Sequence, residues 1–573
     1  MINTFLSAKL VDYYTIKVCI FSNVEKTDYY PIKLIKNNEN PTELIISKHK
    51  FLSGIQLFEC KSNNKIELGN NYLISIDSFG IVPLDVSDAT SFADFDEEYF
   101  YNENDLGFTY SKKKTTFKIW APLASNVSLY IKNNDTRFIT YKMSRAEKGI
   151  YFITLEGDYD SAAYRFLVTN NGISQFAADP YAKASSANGK YSYVVDLEKT
   201  KCDFFEYNLK RTNNYSSATI YELHVRDFTI DKNTDIVNKG KFLGLTEENR
   251  HTLKNNPAGI DYLKFLGITH VQLLPIFDYK TVNELKADEE YNWGYDPHQF
   301  FVPEGSYSTK PDDPYSRIVE CKKMIQSLHK KGIKVNLDVV YNHVYDYSNS
   351  IFEKVVPNYY FRKNKSGLLS NGSFCGNELD SQRPMVRKLI IDSCLYWIKE
   401  YGIDGYRFDL MGLIDVDTMK RISNMCKDLK SDFMIYGEGW NMPSVLKEED
   451  RSSLLNTDKL ENIAFFNDAF RDILRGPNGN GGKGKEAGYL LGNIDYLEGF
   501  KFVFLGSSIN YCFKPKFLNP NQSINYVECH DNLTLFDNFD IDYTLVPGGV
   551  GLMTVAMLMS NILKAYKRNR QEG

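Results

Sequence analysis

Along the first 90 residues, apolar and polar side chains alternate in short runs such as Tyr14–Phe21 and Asn71–Asp77, with Asn and Gly turns between them. A period of two marks half-buried strands, so residues 1–90 are predicted to form a small β domain. The acidic stretch Asp94–Phe100 reads as a short helix inside a linker over 91–104. Strand rhythm returns at Thr116–Trp120, Val127–Ile131, Gly149–Leu155 and Tyr164–Val168, which predicts a β-sandwich over 105–200. Within it Trp120 is expected in the core, because its neighbours Phe117 and Ile119 leave no clear exposed face.

After about residue 215 the rhythm changes. Short apolar runs alternate with longer helical segments: Ala218–His224, Ile268–Leu274, Ile333–Val340, Gly405–Asp409, Phe433–Glu438, Ile463–Phe466 and Ile524–Glu528. Buried strands interleaved with helices imply a parallel sheet, and these seven runs predict a (β/α)₈ TIM barrel from 215 onward. An open doubly wound sheet is the alternative, weakened because no glycine-rich nucleotide loop follows the first strand. The whole chain is thus expected to be multidomain, β followed by α/β.

Composition narrows the field rather than deciding it. The chain has 573 residues, 43% hydrophobic and 25% charged, which fits three or four folded units at about 150 residues each. A net charge of -5 with no basic stripe gives no reason to expect nucleic acid as a partner. No run is long enough to span a bilayer. The nine cysteines are scattered without metal-ligand spacing, and Met1–Lys9 lacks the features of a secretion signal. A cytoplasmic monomer with reduced thiols, no metal and no cofactor is the expectation. Aromatic residues reach 14%, through 40 Tyr and 37 Phe but only 4 Trp. Such rings suit sugar faces and cores alike.

In a barrel, working side chains sit where strands end. Here the ends read Asp338–His343, Arg407-Phe-Asp409, Gly437-Glu438-Gly-Trp440 and Glu528-Cys-His530-Asp531-Asn532. One acidic residue at a strand end is usually a helix cap. Four ends carrying carboxylates with Arg and His between them match what glycoside hydrolysis needs: one carboxylate to attack and another to donate a proton.

The wording of these four segments, in this order, resembles the four signature regions of the α-amylase superfamily. Tyr291–Pro297 is similar to the short motif of its type I pullulanases, and Phe374–Glu378 with Arg383–Arg387 agrees. Residues 105–200 resemble the carbohydrate-binding module that precedes such barrels. The resemblance implies a retaining hydrolase of α-1,6 branch points in pullulan, glycogen or limit dextrins. Asp409 would be the nucleophile, Glu438 the acid and then the base, and Asp531 a third carboxylate that distorts the ring. It further implies that Arg407 keeps Asp409 ionised, that His343 and His530 bind sugar hydroxyls, and that Tyr295 stacks on the sugar. Trp293, Asp296, Asn342 and Trp440 would complete the substrate-binding set. Asn342 also matches a calcium-site position in related amylases, or it simply caps its strand.

The pattern departs from the family after Asp531. Gly551–Leu563 reads as one apolar helix followed by a basic tail, Lys564–Arg570, and Asp540–Gly549 is unlike the family. An incomplete barrel without its last strand and C-terminal β domain is therefore expected. Two alternatives stay open: an isoamylase-like or branching enzyme, and a glucan-binding protein that no longer catalyses.

Overall fold

The structure, a computed structural model, describes residues 4–532 apart from 23–30, 78, 134–136, 203–208, 210–214 and 478–486. The expectations placed on Asp540–Gly549 and Gly551–Leu563, and with them the question of an eighth strand, lie outside the described residues. The chain forms two units. The first comprises Met1–Asp196 with Asp346–Arg362 and Arg383–Lys388. The second comprises Leu197–Tyr345, Lys363–Gln382 and Leu389–Gly573.

In the first unit the early alternation produces two four-stranded antiparallel sheets, which include Thr15–Phe21 and Tyr72–Ile76. The helix expected in the acidic stretch spans Phe95–Tyr99. The sandwich is built from a four-stranded and a five-stranded sheet, with Lys114–Trp120 paired to Ile150–Glu156 and Asn126–Lys132 paired to Ala163–Asn170. Trp120 is buried, donates its indole N–H to the carbonyl of Tyr99 (2.9 Å), and packs edge-on against Tyr359. One sandwich face carries an aromatic cluster around Arg165. Its guanidinium lies 3.7 Å from the centre of the Phe176 ring, while Tyr130 stacks on Phe138 at 4.4 Å.

The second unit holds a seven-stranded, all-parallel sheet in chain order. Its strands are β1 (Ile220–Leu223), β2 (His270–Leu273), β3 (Lys334–Val339), β4 (Gly405–Phe408), β5 (Met434–Gly437), β6 (Ala464–Phe466) and β7 (Ser523–Ile524). Every residue of β2 to β6 is buried, as expected of strands covered on both faces. All seven runs read from the sequence are strands of this sheet. The last differs in extent: β7 starts one residue earlier and stops at Ile524, because β6 offers it only two partners, Phe465 and Phe466.

Helices alternate with the strands along the chain. Val416–Leu429 begins where the Asp415 side chain accepts the amide of Thr418 (3.0 Å), and it buries Val416, Met419, Ile422 and Cys426 along one stripe. An aromatic core of Phe277, Phe300, Tyr341 and Trp397 ties the segments after β2 and β3 to the one before β4, with Trp397 bonded to the Phe300 carbonyl at 2.9 Å. Among the described residues no helix is long and apolar enough to cross a membrane.

Candidate active site

Strand register assembles the site. Asp338 on β3 lies directly beside Arg407 on β4, and Phe408 lies beside Gly437 of β5. The next residues, Asp409 and Glu438, therefore leave adjacent strands at the same level. Gly437 is required there, since a Cβ would come within 2.6 Å of the Phe408 carbonyl oxygen. Leu410 then adopts the left-handed conformation (φ 40°), uncommon for a leucine, and its amide donates to Glu438 Oε2 at 3.1 Å.

Arg407 is the centre of charge. Its buried guanidinium reaches Asp338 (2.8 Å), Asp409 (2.9 Å) and Glu438 (2.6 Å). One fixed cation thus serves three carboxylates, a task that suits the planar fork of arginine and not a lysine. Burial raises Glu438 above the ordinary carboxylate range; Arg407 opposes the shift and Asp409 adds to it. Burial also pushes Asp338 up to about 7, against Arg407 and with Asp409. The site therefore favours keeping a proton among these carboxylates, which is the condition for an acid beside a nucleophile.

The other wall comes from the loop after β2. Gly294 has φ 95° and sits 3.0 Å (as a built Cβ) from Pro275 and Tyr279, so only glycine fits the turn. Tyr295 donates its hydroxyl to Asp338 (2.7 Å) and stacks on His530 (5.0 Å, 17°). Trp293 meets His530 edge-on at 5.3 Å and bonds the Tyr291 hydroxyl, which in turn donates to Asp227 (2.6 Å). Asp296 accepts from Thr281 and Asn292 and so organises this loop. His343 lies behind it, with Nε2 on the Tyr295 carbonyl (3.0 Å) and Nδ1 on Asn342. Asn342 donates to Asp409 Oδ2 at 2.8 Å, steadying the carboxylate.

A cavity of about 220 Å³ opens between these walls, lined by Arg407, Glu438, Trp440, His530 and Asp531. Asp531 stands at its rim with a side chain 58% exposed. The structure thus brings Arg407, Asp409 and Glu438 into direct contact and sets His530, Asp531 and Trp440 around the opening, with Tyr295 and Trp293 packed against His530. Asn342, His343 and Asp296 support from behind. Sequence reasoning missed Glu222 and Asp338 as site groups, along with Asp468, Arg471 and Tyr526, which also line the cavity. Asp338 had a signal, its place at the head of the Asp338–His343 segment; Glu222, one acid inside a strand, had none.

A metal would need another cluster of acids. Among the described residues Asp278, Glu284 and Glu304 are close enough to hold an ion. They already surround the buried Arg317, which reaches Asp278 at 3.2 Å and Glu284 at 2.7 Å.

Comparison with known proteins agrees with this geometry. Residues 105–182 match carbohydrate-binding module 48 (isoamylase N-terminal domain), and residues 252–373 match the alpha amylase catalytic domain. Fold and site together define the class, the α-amylase-type glycoside hydrolases. Pullulanase of Bacillus subtilis strain 168 is 40% identical over 480 residues, 84% of this chain and 66% of that protein. Chloroplastic pullulanase 1 of Arabidopsis thaliana is 29% identical, over 77% of this chain and 55% of that protein. The chain therefore spans about half to two thirds of these two relatives. The crystal structure of pullulanase from Anoxybacillus sp. LM18-11 complexed with maltotriose superposes with a TM-score of 0.88 at 40% identity, covering 93% of this chain and 75% of that one. The chain belongs to the type I pullulanases of the α-amylase family.

Proposed function

We propose that the chain hydrolyses α-1,6 branch points of α-glucans with retention of anomeric configuration. The observation that carries this reading is the pair Asp409 and Glu438, bridged by one buried arginine, with Glu438 raised above its usual range. Asp409 attacks the anomeric carbon while Glu438 gives its proton to the departing glycosidic oxygen. The glycosyl ester formed on Asp409 is then opened by a water whose proton returns to Glu438. Asp531 and His530 hold hydroxyls of the cleaved glucose, and Tyr295, Trp293 and Trp440 offer aromatic surface to it.

The carboxylates perform the same chemistry on α-1,4 and α-1,6 bonds, so the loops set the linkage. The Tyr291–Pro297 loop and the 40% identity to pullulanases support the branch point as substrate. Among the described residues no disulfide joins the cysteines, which supports a reducing, cytoplasmic setting, and we infer a monomer. Incubation with pullulan tests the proposal. Maltotriose as the main product is expected; panose, or no reducing sugar at all, rejects it.

A further inference from the structure

Glu222 is an acidic group at the site to which the reaction as described gives no task. Glu222 lies within β1, largely buried, and Gln272 of β2 donates to its Oε1 at 2.7 Å. Its Oε2 accepts the main-chain N–H of His530 at 2.7 Å, and its Oε1 lies 3.0 Å from His530 Nδ1. Two simultaneous contacts, one to the backbone and one to the ring, leave His530 a single orientation. Tyr295 covers one face of the imidazole, and Trp293 closes against it edge-on. Only Nε2 remains directed outward, 3.9 Å from Asp531 Oδ1 beside the cavity.

We propose that Glu222 is the positioning residue of the glucan site: it fixes Nδ1 of His530 as a protonated nitrogen and aims Nε2 at the bound glucose. The proposal rests on the cleft being the glucan site. An ionised carboxylate accepts hydrogen bonds and cannot donate, so the 3.0 Å contact obliges Nδ1 to carry hydrogen. Glu222 of β1, Asp338 of β3 and Asp531 on the same segment are the anions around this ring; Arg407 of β4 is the cation, and Tyr295 is the neutral neighbour. Burial and Arg407 disfavour a charged ring, Glu222 and Asp338 favour it, and the balance lies above the usual histidine value. With both nitrogens protonated, Nε2–H becomes a charged donor to a sugar hydroxyl, which is stronger than a neutral one. Asp531 accepts from the same sugar on the other side.

The test uses Glu222→Gln, His530→Gln and the double variant in the full chain. Histidine NMR is practical because the protein has only eight, and His530→Gln identifies the signal. In the wild type, His530 should titrate above about 6.5 as an Nδ1–H ring. In Glu222→Gln it should fall by about one pH unit, and maltotriose affinity at pH 7 should drop about tenfold, with less loss at pH 5.5. In the His530→Gln background, adding Glu222→Gln should change affinity less than about twofold. An unchanged titration in folded Glu222→Gln, or the full loss of affinity in the His530→Gln background, overturns the proposal. Should Glu222→Gln fail to fold, Glu222→Asp carries the test. Its shorter arm cannot keep both contacts, so an unchanged His530 titration there rejects it equally. Absence of pullulan cleavage alongside the expected titration and affinities would strike at the hydrolytic reading and leave the Glu222–His530 pairing standing.

Discussion

Arg407 shows how much one side chain does at this site. Its guanidinium bonds Asp338, Asp409 and Glu438 together, so the three carboxylates are spaced by a cation common to all of them. In the proposed mechanism Glu438 is the member of the set that holds a proton. Glu438→Gln should lower kcat on pullulan about 10²–10⁴-fold while maltotriose affinity stays within a few-fold, because a proton donor is lost with little change of volume. The wild-type alkaline limb follows from the same residue. Its folded value is raised, so the acid form persists above the ordinary glutamate value and activity falls as pH rises through the raised one. Initial rates across pH should show this limb in the wild type and a flat residual rate in the variant. At this scale Arg407, Asp409 and Glu438 were legible because their segment wording is distinctive. Glu222 was not, since its meaning comes from a partner 308 residues away, and single-residue patterns carry no such information.

Elements position these side chains through their far ends as well as their near ones. Just before β4, Asp404 accepts from His329 Nε2 (2.8 Å), the Val335 amide (2.8 Å) and Lys430 (2.5 Å), joining the entries to β3, β4 and β5. Burial alone would raise Asp404, but the bond and charge of His329 and the charge of Lys430 overcome it and hold the carboxyl well below its usual range. Its folded value is depressed, so the stabilisation is complete above the unfolded value of about 3.9 and is lost as pH falls through the folded one. Asp404→Asn should destabilise the protein by roughly 3–5 kcal/mol at pH 7, because it removes a buried carboxylate that accepts from His329, the Val335 amide and Lys430. Denaturant unfolding should show this loss shrinking below about pH 4, with kcat of the folded fraction close to wild type. The strands were legible in sequence because covered parallel strands are short apolar runs between polar turns. The end of β7 was not: its length is set by the two residues of β6 available for pairing, and nothing in Ile524–Glu528 reports that.

For the molecule as a whole, the order of parts along the chain was readable, as small β sheets, then a sandwich, then a parallel sheet. What each part binds was readable only where wording resembled a family. Patterning could not find the Arg165 cluster on the sandwich, because Tyr130, Phe138 and Phe176 come from three separate segments. Phe176→Ala should weaken co-sedimentation with glycogen by about 1 kcal/mol, roughly fivefold, through loss of the arginine-backed ring. Hydrolysis of a short branched oligosaccharide should be unchanged, and a matching loss there would place the effect in the cleft instead. The span between Glu222 and His530 also has a consequence in time. A ribosome adding about 5–20 residues per second delivers the second of these residues roughly 15–60 s after the first. In the closing part of that interval, once Glu438 has been added, the nascent polypeptide owns its proposed nucleophile and acid yet still lacks the imidazole meant to greet the sugar, so sugar capture follows the catalytic pair in the order of translation.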